Sequence, residues 1–183
     1  MTKNKILVAV ILVLTAIVFF WFRSHSVPSG PLRLTVVAAD QQNAILQKSS
    51  QASFEIYAPA KLPEGFSVNP NSVGGGTGAG GVEEFSAFVS GPRGDNIQIK
   101  EYDWQAYLKA SGLKEKDILN SKSLMVADVK VYLADSYIIN SVKRQYVQGA
   151  TVISGGTLIR ISYFGERKLS DEDLAALAAS FVK

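Results

Sequence analysis

The chain has 183 residues, no cysteine, and 19 basic against 16 acidic side chains, for a net charge of +3. Without thiols it has neither disulfides nor thiolate chemistry, and cysteine-containing zinc sites are excluded. Lys3, Lys5 and Arg23 carry the whole basic surplus, so the remainder is neutral, and the isolated pair Lys143–Arg144 does not make the basic face that nucleic-acid binding needs.

Ile6–Phe22 runs without a charge, and Thr15 is its one hydroxyl. As a helix it reaches about 25 Å, just short of a ~30 Å hydrocarbon core. Trp21 and Phe22 close it with rings suited to the headgroup zone, and Lys3 and Lys5 outweigh Arg23. The expected organisation is a cytoplasmic tail over 1–5 and a transmembrane signal anchor over 6–22. A juxtamembrane linker with a possible helix over 23–52 and an extracytoplasmic α+β domain over 53–183 follow. The localisation implied is a single-pass cell-membrane protein with its N-terminus inside. The competing reading is a cleaved secretory signal, with Ser24 and Ser26 as the small residues before the cut. The bulky, charged end at Phe19–Arg23 favours the anchor.

Val27–Pro31 (VPSGP) is a turn-forming hinge. Composition predicts a helix over about 35–48. Ser53–Tyr57 alternates and reads as a strand with Phe54 and Ile56 on one face, ending at Ala58-Pro59 before the turn KLPEGF. Gly74–Gly81 (GGGTGAGG) reads as a flexible surface loop. It lacks the Gly-Lys-[ST] ending of a phosphate loop, and the strand-like GVEEFSAFV follows it. Val82–Ser90 and Asn96–Tyr102 flank GPRGD as a hairpin.

Asp103 caps a short helix that carries Trp104, Tyr107 and Leu108 on one face and ends at Gly112. Leu124–Val126 and Val129–Leu133 flank an Ala-Asp turn. Ser141–Ile153 and Thr157–Phe164 flank Ser-Gly-Gly as another hairpin. In the last segment Ser170 and Asp173 form a capping box, with Leu169 and Leu174 as its hydrophobic staple. Leu174, Leu177, Ala178 and Phe181 make one apolar stripe, so this helix should lie against the sheet.

The order SFEIYAPAKLPEGF, hairpin, VADVKVYLAD, LIRISYFG and LSDEDLAALAASF resembles an uncharacterised family of bacterial extracytoplasmic domains. These follow a membrane helix, and some stand C-terminal to the membrane helix of anti-sigma factors. The marks of the resemblance are Pro59, Leu62, Pro63, Gly65 and Phe66, then Ala178, Ser180 and Phe181. The resemblance implies an α+β fold: one curved antiparallel sheet with a C-terminal helix packed on it, behind the N-terminal transmembrane helix. It implies no catalytic residues. Only five residues precede Ile6, too few for a cytoplasmic sigma-binding domain, so signalling would require a partner.

His25 is the sole histidine and stands beside the expected membrane exit, which excludes a histidine-based triad in the domain. Glu83 and Glu84, adjacent in a strand, point to opposite faces and do not converge on one substrate atom. Asp171, Glu172 and Asp173 belong to the helix start. The aromatics Trp104, Tyr107 and Tyr163 are the ligand-face candidates, with ordinary packing as the alternative. No metal site and no cofactor are expected. The function these features suggest is a non-enzymatic, membrane-anchored binding or sensory domain meeting an envelope protein or an apolar or glycan ligand. The alternative is a structural or assembly component of the envelope, and a carboxylate-dependent hydrolase comes last.

Overall fold

The alternating runs of the sequence become one antiparallel sheet in the computed structural model, which describes residues 32–119, 121–140 and 145–182. These residues belong to a compact unit that begins at Pro31. The tail, the run Ile6–Phe22, His25 and the hinge Val27–Pro31 lie outside the described residues. Among the described residues no helix is long and apolar enough to cross a membrane.

The unit opens with β1 (Leu34–Val36) and helix α1 (Ala39–Leu46), followed by β2 (Lys61–Pro63), β3 (Ser67–Val68) and β4 (Gly74–Thr77). The hairpin β5 (Glu83–Ser90) and β6 (Asn96–Asp103) leads into α2 (Trp104–Ser111) and α3 (Glu115–Leu119). Strands β7 (Ser123–Val126), β8 (Val129–Leu133), β9 (Tyr137–Asn140), β10 (Gln145–Ser154) and β11 (Thr157–Gly165) precede the closing helix α4 (Asp171–Ala179). The sheet order is β3-β5-β6-β11-β10-β8-β7, with β4 also paired to β5 and β9 also paired to β10. Strands β1 and β2 form a separate antiparallel pair.

The expected hairpins are present. Ser154 faces Thr157 across the tight turn Gly155-Gly156, whose φ values of 54° and 84° suit glycine in a two-residue hairpin loop. The part of the second hairpin over Ser141–Arg144 lies outside the described residues. The closing helix starts with one half of the expected capping box: the Asp173 N–H donates to Ser170 Oγ at 3.1 Å, while Asp173 Oδ1 accepts the Leu32 N–H. It lies against β7, β8 and β10 and buries Leu174, Leu177 and Ala178, with Phe181 just past its end. They share one core with Phe85, Ile97, Ile99, Ile159 and Ile161 of the sheet's inner face. Each large side chain buried here contributes about 1.5–3 kcal/mol.

Three local expectations differ from the structure. Residues 35–48 are not one helix: Leu34–Val36 pairs with Pro63–Lys61, and α1 starts only at Ala39. The β-branched pair Thr35–Val36 suits the ladder better than a helix interior. Ile45 is in the main core, so α1 belongs to the unit that begins at Pro31.

Ser53–Tyr57 is not a strand. Strand β6 already has β5 and β11 on its two sides, so no ladder edge is open to the segment there. Side chains take its backbone groups instead. Ser53 N–H donates to Glu83 Oε1 at 2.7 Å, Tyr57 N–H donates to Glu101 Oε2 at 2.8 Å, and Glu55 O accepts from Thr157 Oγ1 at 2.8 Å.

The glycine run is not a free loop, because Gly74–Thr77 is β4, paired with Ser86–Glu83. A Cβ on Gly75 would run into the carbonyl of Gln51, so the missing side chain lets the preceding segment pass close over the strand.

Candidate functional site

Helix α2 grows directly from the end of β6. Asp103 Oδ1 accepts the Ala106 N–H at 2.7 Å, and Gly112 at φ 67° ends the helix. The Trp104 N–H donates to Gly156 O at 2.9 Å, which ties this start to the β10–β11 turn. Trp104 then packs with Val82, Tyr102 and Leu158 in a second core on the outer face of the sheet, partly covered by Tyr107, Leu108 and Ile118.

Beyond that covered patch a cleft of about 170 Å³ remains open to solvent on one side. Its floor comes from one cross-strand row, Tyr132 on β8, Thr151 on β10 and Arg160 on β11, which are direct neighbours in register. Tyr107, Leu113 and Ile118 form the wall, and Leu158 closes the inner end. Arg160 Nη1 donates to the Tyr107 hydroxyl at 3.0 Å, and its guanidinium carbon lies 5.9 Å from that ring's centroid. On the other side Lys130 Nζ is 5.2 Å from the Tyr132 ring centroid. Both tyrosines at the cleft therefore have a cation over or beside them.

A polar network supports Tyr107 from behind. Its ring meets that of Tyr102 at 4.9 Å with a 49° tilt. The Tyr102 hydroxyl donates to Glu84 Oε2 at 2.6 Å, and Lys100 Nζ approaches Glu84 Oε1 at 3.0 Å. Burial first, then the adjacent Glu84 carboxylate, pushes the Tyr102 phenol well above its ordinary range. The Lys100 charge is thus matched locally. Arg160, its neighbour across the β6–β11 pair, takes part in no ion pair among the described residues.

Of the three ligand-face candidates, Tyr107 lines the cleft and Trp104 lies beneath α2 in the adjoining core. Tyr163 is on the inner face with Ile159 and Ile161, its hydroxyl 3.3 Å from Asp95 Oδ2. Alternation along β11 separates it from Leu158 and Arg160, so the three aromatics do not share one surface. Burial pushes the Tyr163 phenol up, and Asp95 adds to the effect. Thr151, Ile118 and Arg160 are cleft residues that sequence reasoning does not single out. The available signal is Arg160, a lone charge inside the apolar run LIRISYF.

Glu83 and Glu84 face opposite ways, one toward Ser53 and one toward Lys100 and Tyr102. Glu101 is a further carboxyl, 1% exposed on the inner face between Phe85 and Ile159, its register partners on the neighbouring strands. Among the described residues no group of three or more His, Asp or Glu side chains is arranged to hold a metal ion.

Compared with known proteins, the chain matches no family model, no curated protein and no solved structure.

Proposed function

We propose that the chain is a membrane-anchored, extracytoplasmic binding domain whose outer-face cleft receives one apolar or aromatic group of an envelope ligand, without catalysing a reaction on it. The observation that carries this reading is the cleft itself, with an apolar wall, two tyrosines, and Arg160 in its floor outside any described ion pair. Its volume of about 170 Å³ decides what fits. That is close to the ~150 Å³ apolar cavity that holds one benzene. It is well below the ~300–1,000 Å³ of sites that enclose a drug-sized molecule.

The cleft therefore suits the end of a ligand, a ring or a short branched chain, with the rest of the molecule outside. A guanidinium in the lining favours a ligand that also carries an anionic group. The uncharged run Ile6–Phe22 and its basic flanks support display of the domain outside the cytoplasm on an N-terminal anchor.

Native mass spectrometry of the full chain, extracted in detergent from its own membranes, tests this reading. The wild type should carry a small-molecule adduct that Thr151→Trp, which fills the cleft from its floor, does not. Identical adduct-free spectra for both proteins would remove the binding role.

A further inference from the structure

The strand β9 is unlike the rest of the sheet. Tyr137, Ile138 and Ile139 are 59%, 51% and 53% exposed, and consecutive strand residues point to opposite faces. Both sides of this short strand therefore present large apolar groups to solvent. Among the described residues it pairs with the beginning of β10 alone, Val147 to Tyr137 and Tyr146 to Ile138, with a register shift at Gln145/Tyr146. Three adjacent exposed apolar residues form a patch that ordinary surface composition does not explain.

The point where the chain enters the unit locates this patch. Leu32 N–H donates to Asp173 Oδ1 at 3.1 Å, at the N-terminal end of α4. Leu169, just before that helix, is held to Gln148 by two hydrogen bonds, and Gln148 is two residues along β10 from Tyr146, the partner of Ile138. Residue 32 and β9 thus belong to the same end of the sheet. Residues 23–31 span at most about 30 Å, and they join that end to the uncharged run Ile6–Phe22. No acidic residue occurs from Ser136 to Gln148, so this stretch of chain is not repelled by an anionic headgroup layer.

We infer that β9 is a membrane-contacting arm, seated on a lipid surface with Tyr137, Ile138 and Ile139 at the boundary between headgroups and acyl chains. The inference rests on the reading of Ile6–Phe22 as an anchor. A lipid boundary covers both faces of the arm at once, and tyrosine belongs at that depth. Edge-to-edge pairing with a second copy would satisfy the backbone edge left open among the described residues, yet leave both side-chain faces wet. The arm therefore adds a second attachment that fixes the orientation of the domain, and with it the direction in which the cleft opens.

The absence of cysteine provides the test. Single cysteines replacing Ile138, Tyr137 and Met125 in the full chain are labelled with the polarity-sensitive dye NBD and reconstituted in phosphatidylcholine–phosphatidylglycerol vesicles. Met125 is the control: it is 65% exposed, and it pairs with Lys130 toward the opposite, Gly155-Gly156 end of the sheet. Labels at 138 and 137 should emit to the blue of the label at 125 and lose most of their emission to brominated-chain lipids, while 125 is unaffected. Water-like, unquenched emission at 138 and 137 from protein that sediments with the vesicles overturns the arm and leaves the anchor standing. Protein that washes off the vesicles overturns both. A blue shift that brominated lipids do not quench, and that grows with protein density, overturns the arm in favour of a second copy.

Discussion

Glu101 accepts the Tyr57 N–H through Oε2 at 2.8 Å, while its Oε1 is buried with no hydrogen-bond partner among the described residues. An ionised carboxylate half-satisfied in this way would be costly, so the site favours the neutral acid. Burial raises the group from an ordinary 4.5 to about 8, and the Tyr57 hydrogen bond opposes only part of that rise. The folded chain therefore keeps a proton that the unfolded chain releases. Stability from this group is fully present below about 4.5 and is lost as pH rises to about 8. The unfolding midpoint should fall across that window in the wild type. Glu101→Gln keeps an acceptor for Tyr57 and cannot ionise, so its midpoint should lose this fall. An unchanged pH slope in the variant would show that Glu101 is not its source.

Gln148 is a second buried polar side chain, and both ends of its amide are used. Oε1 accepts the Leu169 N–H at 2.7 Å, and Nε2 donates to Leu169 O at 2.9 Å. The pair holds the chain at the entry to α4. Gln148→Leu leaves a buried backbone donor and acceptor unpaired, each at about 1–3 kcal/mol. Urea unfolding of the variant should show a loss of about 2–4 kcal/mol. A loss below about 0.5 kcal/mol would place the clamp outside the cooperative core.

Much of the scaffold was legible from local rules. The closing helix followed from Ser170, Asp173 and the leucine stripe, and the hairpins followed from alternating runs around glycine turns. The misread elements were settled by neighbours distant in sequence. Ser53–Tyr57 alternates like a strand, but its partners are the side chains of Glu83, Glu101 and Thr157. Strand β4 has almost no side chains to alternate, so no period could reveal it. The cleft draws Tyr107, Ile118, Tyr132, Thr151 and Arg160 from α2, α3, β8, β10 and β11, and their meeting depends on strand order and register. Tyr163 and Tyr107 look equivalent as aromatics until β11 is known to separate their faces.

The glycine strand offers a contrast between adjacent positions. At Gly75 a side chain would collide with the Gln51 carbonyl, whereas a methyl group on Gly76 would meet nothing within 4 Å. Gly75→Ala should destabilise by about 1–3 kcal/mol through the forced shift. Gly76→Ala should stay within about 0.5 kcal/mol of the wild type. Equal thermal midpoints for the two variants would contradict the close approach.

Topology is open to an equally direct check. Ser90 is exposed at the end of β5, so Ser90→Cys adds one accessible thiol to a chain that has none. An impermeant maleimide should label it on intact cells. Protection until lysis would place the domain on the cytoplasmic side and reverse the anchor's orientation.

The binding role is tested most directly by photo-crosslinking at the cleft in living cells. A p-benzoyl-phenylalanine placed at Leu113, an exposed wall residue, faces the space a ligand would fill. After irradiation, intact mass of the purified full chain should show a discrete small-molecule addition, and the same chain carrying Thr151→Trp should not show it. An unmodified mass in both, or an equal addition in both, would contradict a ligand held between Tyr107 and Tyr132.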